Sequence, residues 1–179
     1  EVYFGSEEVF CKKGARIIMS FNIDFVSIPL GYGDENNQIE LKWITDRSEI
    51  TPDREYDLTI AEVIWEYFNG SGWTRLFPDS SFSNIFSAEK GAIGQYKTMS
   101  FICPEDIQPI LVNAVESYYI RARVLKINNL YKLKGRYLSP VLTNLNLSYD
   151  YVDTWVKPEY IITTNNLETC TMSYQDMLN

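Results

Sequence analysis

Apolar and polar residues alternate with a period of two along most of this 179-residue chain, and helical periodicity is scarce. Period-two alternation is typical of a strand with one buried face, because successive side chains point to opposite sides of a sheet. The pattern predicts eight strands, at Glu1 to Phe4, Ala15 to Phe25, Gln38 to Thr45, Ala61 to Asn69, Trp73 to Phe77, Lys97 to Ile102, Ser117 to Leu125 and Val141 to Tyr151. Turn residues separate them, as in Gly31 to Asp34, Asn69 to Gly72 and Asn128-Asn129.

The spacing of these strands indicates the fold class. No helical segment of ten residues or more separates them, and no repeat of fixed period is present. Only Glu105 to Val115 fits a helical turn or two, which Pro109 would limit. We therefore predict an all-β fold with little helix, an antiparallel two-sheet sandwich of the jelly-roll or galactose-binding-like type. The sandwich is expected over residues 1–151, with residues 152–179 as a C-terminal extension or the lead into a following domain.

The segment from Ala61 to Leu76 carries aromatic residues on both faces of its predicted strand. A strand that is apolar on both sides is typical of the middle of a sheet or of a strand under a covering loop. We expect Trp65 to be largely buried. The residues Asn69 to Gly72 tolerate positive φ and predict a tight hairpin turn. The alternative is an exposed platform of rings that binds a sugar or a base.

The strand predicted from Ser117 has a cleaner two-faced pattern. One face carries Tyr118, Ile120, Ala122 and Val124, and the other carries Tyr119, Arg121 and Arg123. The two arginines are expected to point to solvent or to acidic neighbours across the sheet. The wider basic stretch, which continues through Lys126, Lys132, Lys134 and Arg136, is interpreted as the solvated side of a strand and its loop.

Composition and charge limit the partners. The chain has 45% hydrophobic and 15% aromatic residues and a net charge of -8, a globular composition that lacks the basic face needed to bind nucleic acid. The longest apolar run, Ala15 to Phe25, contains four polar residues and is shorter than a membrane helix, so we expect a soluble protein without membrane insertion. Glu1 is not a natural start, and the chain is expected to be a piece of a longer polypeptide.

The residue inventory argues against catalysis. The chain has no histidine and three scattered cysteines, Cys11, Cys103 and Cys170, which we interpret as reduced thiols. Histidine triads, histidine-ligated metals and a closed zinc site are thereby excluded, and no phosphate-binding glycine loop follows a strand. The acids nearest the aromatic residues are Glu66, Glu105, Asp106 and Glu116, but no spacing indicates a glycosidase pair.

Two loops concentrate oxygen donors, Gly31 to Asn37 and Thr51 to Asp57. Carboxylate, amide and carbonyl oxygens are the ligands of calcium, although neither loop has the EF-hand spacing. Loops rich in Asp, Asn and Gly are most often simple turns. We expect neither an organic cofactor nor a metal, with calcium as the alternative at these loops.

Four segments in a fixed order resemble one protein family: VIWEYFNGSGWTRL, MSFICPEDI, ESYYIRARV and SPVLTNLNLSY. They are similar to part of the large baseplate assembly (baseplate J-like) proteins of contractile phage tails and phage-tail-like particles. The opening of the chain is also similar, with Tyr3, Phe4 and Gly5 in place and Ser6 where the family often has an aromatic residue. The resemblance covers residues 1–151 and is weaker beyond. It implies a structural role in a tail or injection machine, with no catalytic residues.

Two hypotheses on function follow. The first is a non-catalytic assembly module that docks to other tail or baseplate proteins, made in the bacterial cytoplasm and carried in the virion tail or particle. Such a module, when isolated, is expected to be a monomer or weak oligomer. The second is a carbohydrate-binding module that stacks sugars on exposed rings. The candidate interaction residues are Tyr32, Trp43, Trp73, Trp155 and Tyr160.

Overall fold

The computed structural model describes residues 1–30, 41–50, 57–88, 93–131, 135–151, 160–165 and 168–173, with side chains as far as residue 151. Its strands are β1 (Val2–Gly5), β2 (Arg16–Leu30), β3 (Lys42–Trp43), β4 (Asp57–Phe68), β5 (Trp73–Arg75), β6 (Gln95–Ile102), β7 (Pro109–Val112), β8 (Val115–Asn128), β9 (Gly135–Asp150), β10 (Tyr160–Asn165) and β11 (Glu168–Ser173). Its helices are α1 (Glu7–Phe10) and a 3-10 turn at Arg47–Glu49. The predicted all-β class is confirmed.

Hydrogen bonding joins β1 to β9 in one mixed sheet. Six strands follow the order β1-β8-β4-β9-β2-β3, while β5 pairs with β4, β6 with β2 and β7 with β8. The pairs are antiparallel except β4 with β9, which run parallel from Asp57↔Arg136 to Thr59↔Leu138. This short parallel contact connects the two long antiparallel units, β8 with β4 and β9 with β2. A separate two-stranded sheet is formed by β10 and β11.

Each of the eight predicted strands coincides with a strand of the structure, with different ends; the strand predicted at Gln38 to Thr45 is represented by β3 alone, and its first three residues lie outside the described ranges. The prediction of a helical turn within Glu105 to Val115 is wrong, because this segment contains β7 and the turn into β8. Proline cannot donate to a ladder and is tolerated at the first residue of a strand, where Pro109 lies. The hairpin then closes with Asn113 and Ala114 at φ 49° and 64°, the backbone of a two-residue turn with both φ values positive.

Replacing Ala114 by Gly is expected to stabilise the protein by about 0.5–1 kcal/mol. Alanine is strained at positive φ, whereas glycine adopts it without steric cost. Urea unfolding of the parent and of Ala114→Gly measures the difference. A comparison substitution near the start of the adjoining strand β8, Ser117→Gly, removes a buried side chain in extended backbone and should destabilise; a loss of stability in Ala114→Gly as well would contradict the turn geometry.

One cluster of buried side chains forms the core. Its largest contribution comes from β2, where Ile17, Met19, Phe21, Ile23 and Phe25 occupy every second position and are completely buried. The loop residue Phe86 connects this strand to β4, with its ring centroid 6.0 Å from that of Phe21 and 5.8 Å from that of Trp65. The two antiparallel units therefore share the same apolar interior.

The loop after β5 covers the edge of β4 where no strand pairs with it among the described residues. The Val63 amide donates to the Ser83 carbonyl oxygen at 2.7 Å, and the Trp65 indole Nε1 donates to the Phe82 carbonyl oxygen at 3.2 Å. The Trp65 side chain is 2% exposed. The expectation that Trp65 is buried is thus confirmed, as is the covering loop that a two-sided apolar strand requires.

A buried ion pair marks the contact between β4 and β9. The Arg136 guanidinium donates to both oxygens of Asp57 at 2.8 and 3.0 Å, and also to the Glu49 carbonyl oxygen. The Asn129 side chain donates to the Asp57 carbonyl oxygen at 2.8 Å. The interpretation of the basic stretch as solvated is therefore wrong for Arg136, whose charge is used to join two strands.

No helix in the described part of the chain is long and apolar enough to cross a membrane.

The division of the chain into a sandwich and a C-terminal extension at residue 151 stays a prediction. Among the described residues β10 and β11 pair only with each other, and residues 152–159 lie outside the described ranges.

Candidate functional site

Two of the sequence segments that carry the resemblance meet on neighbouring strands. The register pairs Trp65 with Ala122, Glu66 with Arg121 and Tyr67 with Ile120. Since side chains alternate along a strand, Trp65 and Tyr67 enter the core while Glu66 lies on the opposite face, beside Arg121. The hairpin to β5 places Arg75 next to Glu66 and Trp73 next to Phe68.

We call the residues Tyr3, Glu66, Trp73, Arg121 and Arg123 the Glu66 cluster. Arg121 Nε donates to Glu66 Oε2 at 2.9 Å, and Arg123 donates from Nη2 to Oε1 at 2.9 Å and from Nε to Oε2 at 3.2 Å. The Glu66 carboxylate is therefore held on both oxygens. Arg123 binds it in the two-pronged geometry that makes guanidinium–carboxylate pairs strong and directional.

Burial and charge act in opposite directions on Glu66, whose residue is 6% exposed. Burial raises the pKa of this carboxyl, but the hydrogen bonds and charges of Arg123 and Arg121 outweigh burial, and the pKa lies below its ordinary value of 4.5. The same contacts raise the pKa of the Arg123 guanidinium. Glu66 is consequently ionised at neutral pH.

Aromatic rings enclose Arg121. Its guanidinium carbon lies 4.1 Å from the centroid of the Trp73 ring and 6.0 Å from that of Tyr3, within the range of cation–π contacts. Tyr3 and Trp73 pack edge to face at 5.6 Å. The Tyr3 hydroxyl donates to the Glu1 carboxylate at 2.6 Å. The same Glu1 carboxylate lies 3.5 Å from Arg121 Nη1. Arg121 is thus fixed by two carboxylates and two rings.

This arrangement is poorly suited to acid–base catalysis. A glycosidase acid needs a raised pKa and a proton to donate, whereas Glu66 is ionised and bound by two arginines. The other candidate acids, Glu105, Asp106 and Glu116, are exposed. Asp106 accepts a hydrogen bond from the Tyr67 hydroxyl at 2.9 Å. The pKa of Tyr67 is raised, mainly by burial and also by this hydrogen bond.

The two loops considered for calcium binding lie mainly outside the described residues. Gly31 to Asn37 lies there entirely, as does Thr51 to Asp57 except for Asp57, whose carboxylate binds Arg136. Within the described ranges, no group of three or more Cys, Asp or Glu side chains could hold a metal ion.

Of the five predicted interaction residues, the structure describes the side chains of two, Trp43 and Trp73, and it does not bring these two together. Trp43 is on β3 and 54% exposed, whereas Trp73 is on β5, separated from β3 in the sheet by β4, β9 and β2. One face of the Trp73 ring is covered by Arg121. Tyr32 and Trp155 lie outside the described residues, and Tyr160 begins β10 with its side chain undescribed.

From the sequence, Arg121 and Arg123 are expected to point to solvent or to acidic neighbours; the structure shows an acidic neighbour, and the sequence did not reveal that Glu66 binds both. Two features of the sequence could have revealed this contact. Glu66 is an acid within a strand that is otherwise apolar on both faces, and Arg121 and Arg123 are spaced so that they share one face of their strand. The ion pair between Asp57 and Arg136 had no such signal, because 79 positions separate its members.

An open cavity of about 190 Å³ lies between β8 and β9 and is lined by Ile60, Val63, Val124 and Leu142. It is smaller than the ~300–1,000 Å³ usual for small-molecule sites.

Comparisons with protein-family models, curated proteins and solved structures found no match to this chain.

Proposed function

We propose that this chain is a non-catalytic assembly module of a contractile phage tail baseplate or a related injection particle. The observation that carries the proposal is the meeting of the WEYFNGSGW and YYIRAR segments in the Glu66 cluster. In sequence these segments resemble the baseplate family. In the fold their polar residues bind one another and their apolar residues fill the core, as expected of residues that determine a fold rather than bind a substrate.

We further propose that the nine-stranded sheet folds over on itself into two layers and so forms the predicted sandwich. β1, β8, β4 and β5 would form one layer, and β9, β2, β6 and β3 the other, connected by the short contact of β4 with β9. Support comes from the shared interior, in which Phe86 packs between Phe21 and Trp65. A rigid body of this kind suits a subunit that must transmit force between neighbours without deforming.

The absence of catalysis is part of the proposal and is supported by chemistry. The chain has no histidine, and Glu66, one of the candidate acids near the aromatic residues, is an ionised partner of two arginines. Partners would be other tail or baseplate proteins, and the particle would be assembled in the bacterial cytoplasm. Of the rings offered for sugar stacking, Trp73 is covered on one face by Arg121, so Trp43, which is exposed, is the described ring that supports the carbohydrate alternative.

An in-frame deletion of residues 1–179 in the encoding bacterium tests the assembly role. We expect particle production to fall at least tenfold by electron microscopy of negatively stained lysates, with unattached tubes or sheaths accumulating. The variant Glu62→Gln, which changes an exposed side chain outside the candidate interaction residues, is the control and should assemble normally. Normal particle numbers in the deletion strain would overturn the proposal, and loss of glycan binding in Trp43→Ala with normal assembly would favour the carbohydrate module.

A further inference from the structure

Two thiols cap the end of the same short helix. The Cys11 thiol, at the C-cap of α1, donates to the Glu8 carbonyl oxygen at 3.6 Å. The Cys103 thiol, one residue after β6, donates to the Phe10 carbonyl oxygen at 3.2 Å. Both contacts satisfy carbonyl groups that the end of a helix leaves without a partner. The two cysteines are therefore neighbours in the fold, although 92 positions separate them in the chain.

Backbone hydrogen bonds hold this neighbourhood in place. The Gly14 amide donates to the Cys103 carbonyl oxygen at 2.9 Å, and the Cys103 amide donates to the Ala15 carbonyl oxygen at 2.8 Å. Phe10 O and Cys11 Cα belong to one planar peptide, so the Cys103 sulfur lies within roughly 6 Å of Cys11 Cα. A disulfide needs Cα atoms roughly 4.4–6.8 Å apart, and forming one here would take a rotation of the Cys11 side chain and a shift of the turn that bring the pair into this geometry.

The two thiols differ in their access to solvent. Cys11 is half-buried and open to reagents, whereas Cys103 is 1% exposed. Burial, with the charges of Cys11 and Glu105 adding to it, raises the pKa of the Cys103 thiol to about 11. Cys103 is therefore protected from direct attack, but it lies beside the cysteine that a reagent would reach first.

We propose that Cys11 and Cys103 form a reversible disulfide when the protein meets a small-molecule disulfide such as oxidised glutathione. The Cys11 thiolate attacks one sulfur of the oxidant, forming a mixed disulfide and releasing one glutathione thiolate. The Cys103 sulfur then attacks the Cys11 sulfur, its proton passing to the second glutathione thiolate as that group leaves. The protein loses two electrons and two protons, and one glutathione disulfide becomes two thiols.

The disulfide would fasten the start of the chain to the end of β6. Residues 1–11 contain β1, which pairs with β8, while β6 pairs with β2. The bond would therefore tie together the two antiparallel units, which otherwise share few strand contacts. This device does not depend on the assembly function, and it would strengthen the module after release from a reducing cytoplasm.

The test uses the full chain with Cys170→Ser, so that only Cys11 and Cys103 remain. After incubation with oxidised glutathione, the protein is unfolded, treated with N-ethylmaleimide and measured by intact mass and non-reduced peptide mapping. We expect a species lighter by two hydrogens that takes up no reagent, with the Cys11 and Cys103 peptides joined. Its melting temperature should rise by roughly 5 °C or more, because the bond closes a loop of about 90 residues, and dithiothreitol should reverse the rise.

Two controls separate this outcome from simple thiol modification. Adding Cys11→Ser should leave Cys103 reduced and able to react only after unfolding, with no rise in melting temperature. Adding Cys103→Ser should give a lasting glutathione adduct on Cys11. If the two-cysteine protein instead stops at the Cys11 adduct, with Cys103 still able to react after unfolding, or if it forms only intermolecular dimers, the proposal is overturned.

Discussion

Trp65→Ala is expected to destabilise the protein by about 3–5 kcal/mol, the usual cost of removing a large buried aromatic side chain. The indole is 2% exposed and contacts Phe4 and Phe86 at ring-centroid distances of 5.7 and 5.8 Å. Its Nε1 also donates to the Phe82 carbonyl oxygen. The substitution leaves a cavity and removes one of the two hydrogen bonds that the Phe82 carbonyl oxygen accepts, the other coming from the Ile85 amide at 3.3 Å. Chemical denaturation followed by circular dichroism measures the loss.

Trp43→Ala is the matched control for this loss. The Trp43 side chain is 54% exposed on a two-residue strand, so its removal should change the free energy of unfolding by less than about 1 kcal/mol. Equal effects of the two substitutions would contradict the core described here. An unchanged stability in Trp65→Ala would revive the interpretation of this segment as an exposed platform.

Glu66→Gln is expected to cost about 2–3 kcal/mol at neutral pH. Glutamine has nearly the same shape but leaves Arg121 and Arg123 without their shared countercharge, and the Arg121 side chain is only 14% exposed. The cost is below that of a fully buried pair because Arg123 is 38% exposed and can regain water. Denaturation at low and high salt should show a loss that persists at high salt.

Glu62→Gln provides the control on the same strand. Glu62 pairs with Lys126 at 3.3 Å, and both side chains are well exposed. A surface pair of this kind contributes about 0–1 kcal/mol and is screened by salt. If Glu62→Gln costs as much as Glu66→Gln, the special position of Glu66 between two arginines is refuted.

Acid should reduce the difference between the parent and Glu66→Gln. The pKa of Glu66 is lower in the folded protein than its ordinary value of 4.5, so protonation favours the unfolded chain. The stability due to this carboxylate is therefore complete above pH 4.5 and is lost as the pH falls through the lower folded value. Unfolding curves between pH 7 and pH 3 should converge for the two proteins, and parallel curves would show that Glu66 makes no charged contact.

The strands were predictable from sequence because alternation records which residues face the core. β2 shows this best, with buried residues at every second position over most of its length, whereas the buried residues of β8 all lie between Ser117 and Ala122. The strand ends and β7 were not predictable, since a short apolar segment after proline fits a helical turn as well as an edge strand. Nor could alternation reveal the parallel contact of β4 with β9, which depends on Asp57 and Arg136, far apart in the chain.

The contacts within the Glu66 cluster also could not be predicted from the sequence. Sequence placed Arg121 and Arg123 on one face and Glu66 opposite Trp65, but only strand register brings these charges within 3 Å. Register also explains Gly5, where an added Cβ would lie 2.5 Å from Tyr119 Cε1. A glycine next to a tyrosine across two strands has no local sequence signature, because the partners are 114 positions apart.

The central claim is that this chain is built into a contractile particle, and quantitative mass spectrometry of purified particles tests it most directly. Particles from the bacterium that encodes the chain would be separated into baseplate, tube and sheath fractions, with peptides of residues 1–151 measured against known amounts of labelled standards. We predict a fixed number of copies per particle, concentrated in the baseplate fraction and retained after washing at high salt. Particles that are complete and functional but contain none of these peptides would contradict the claim.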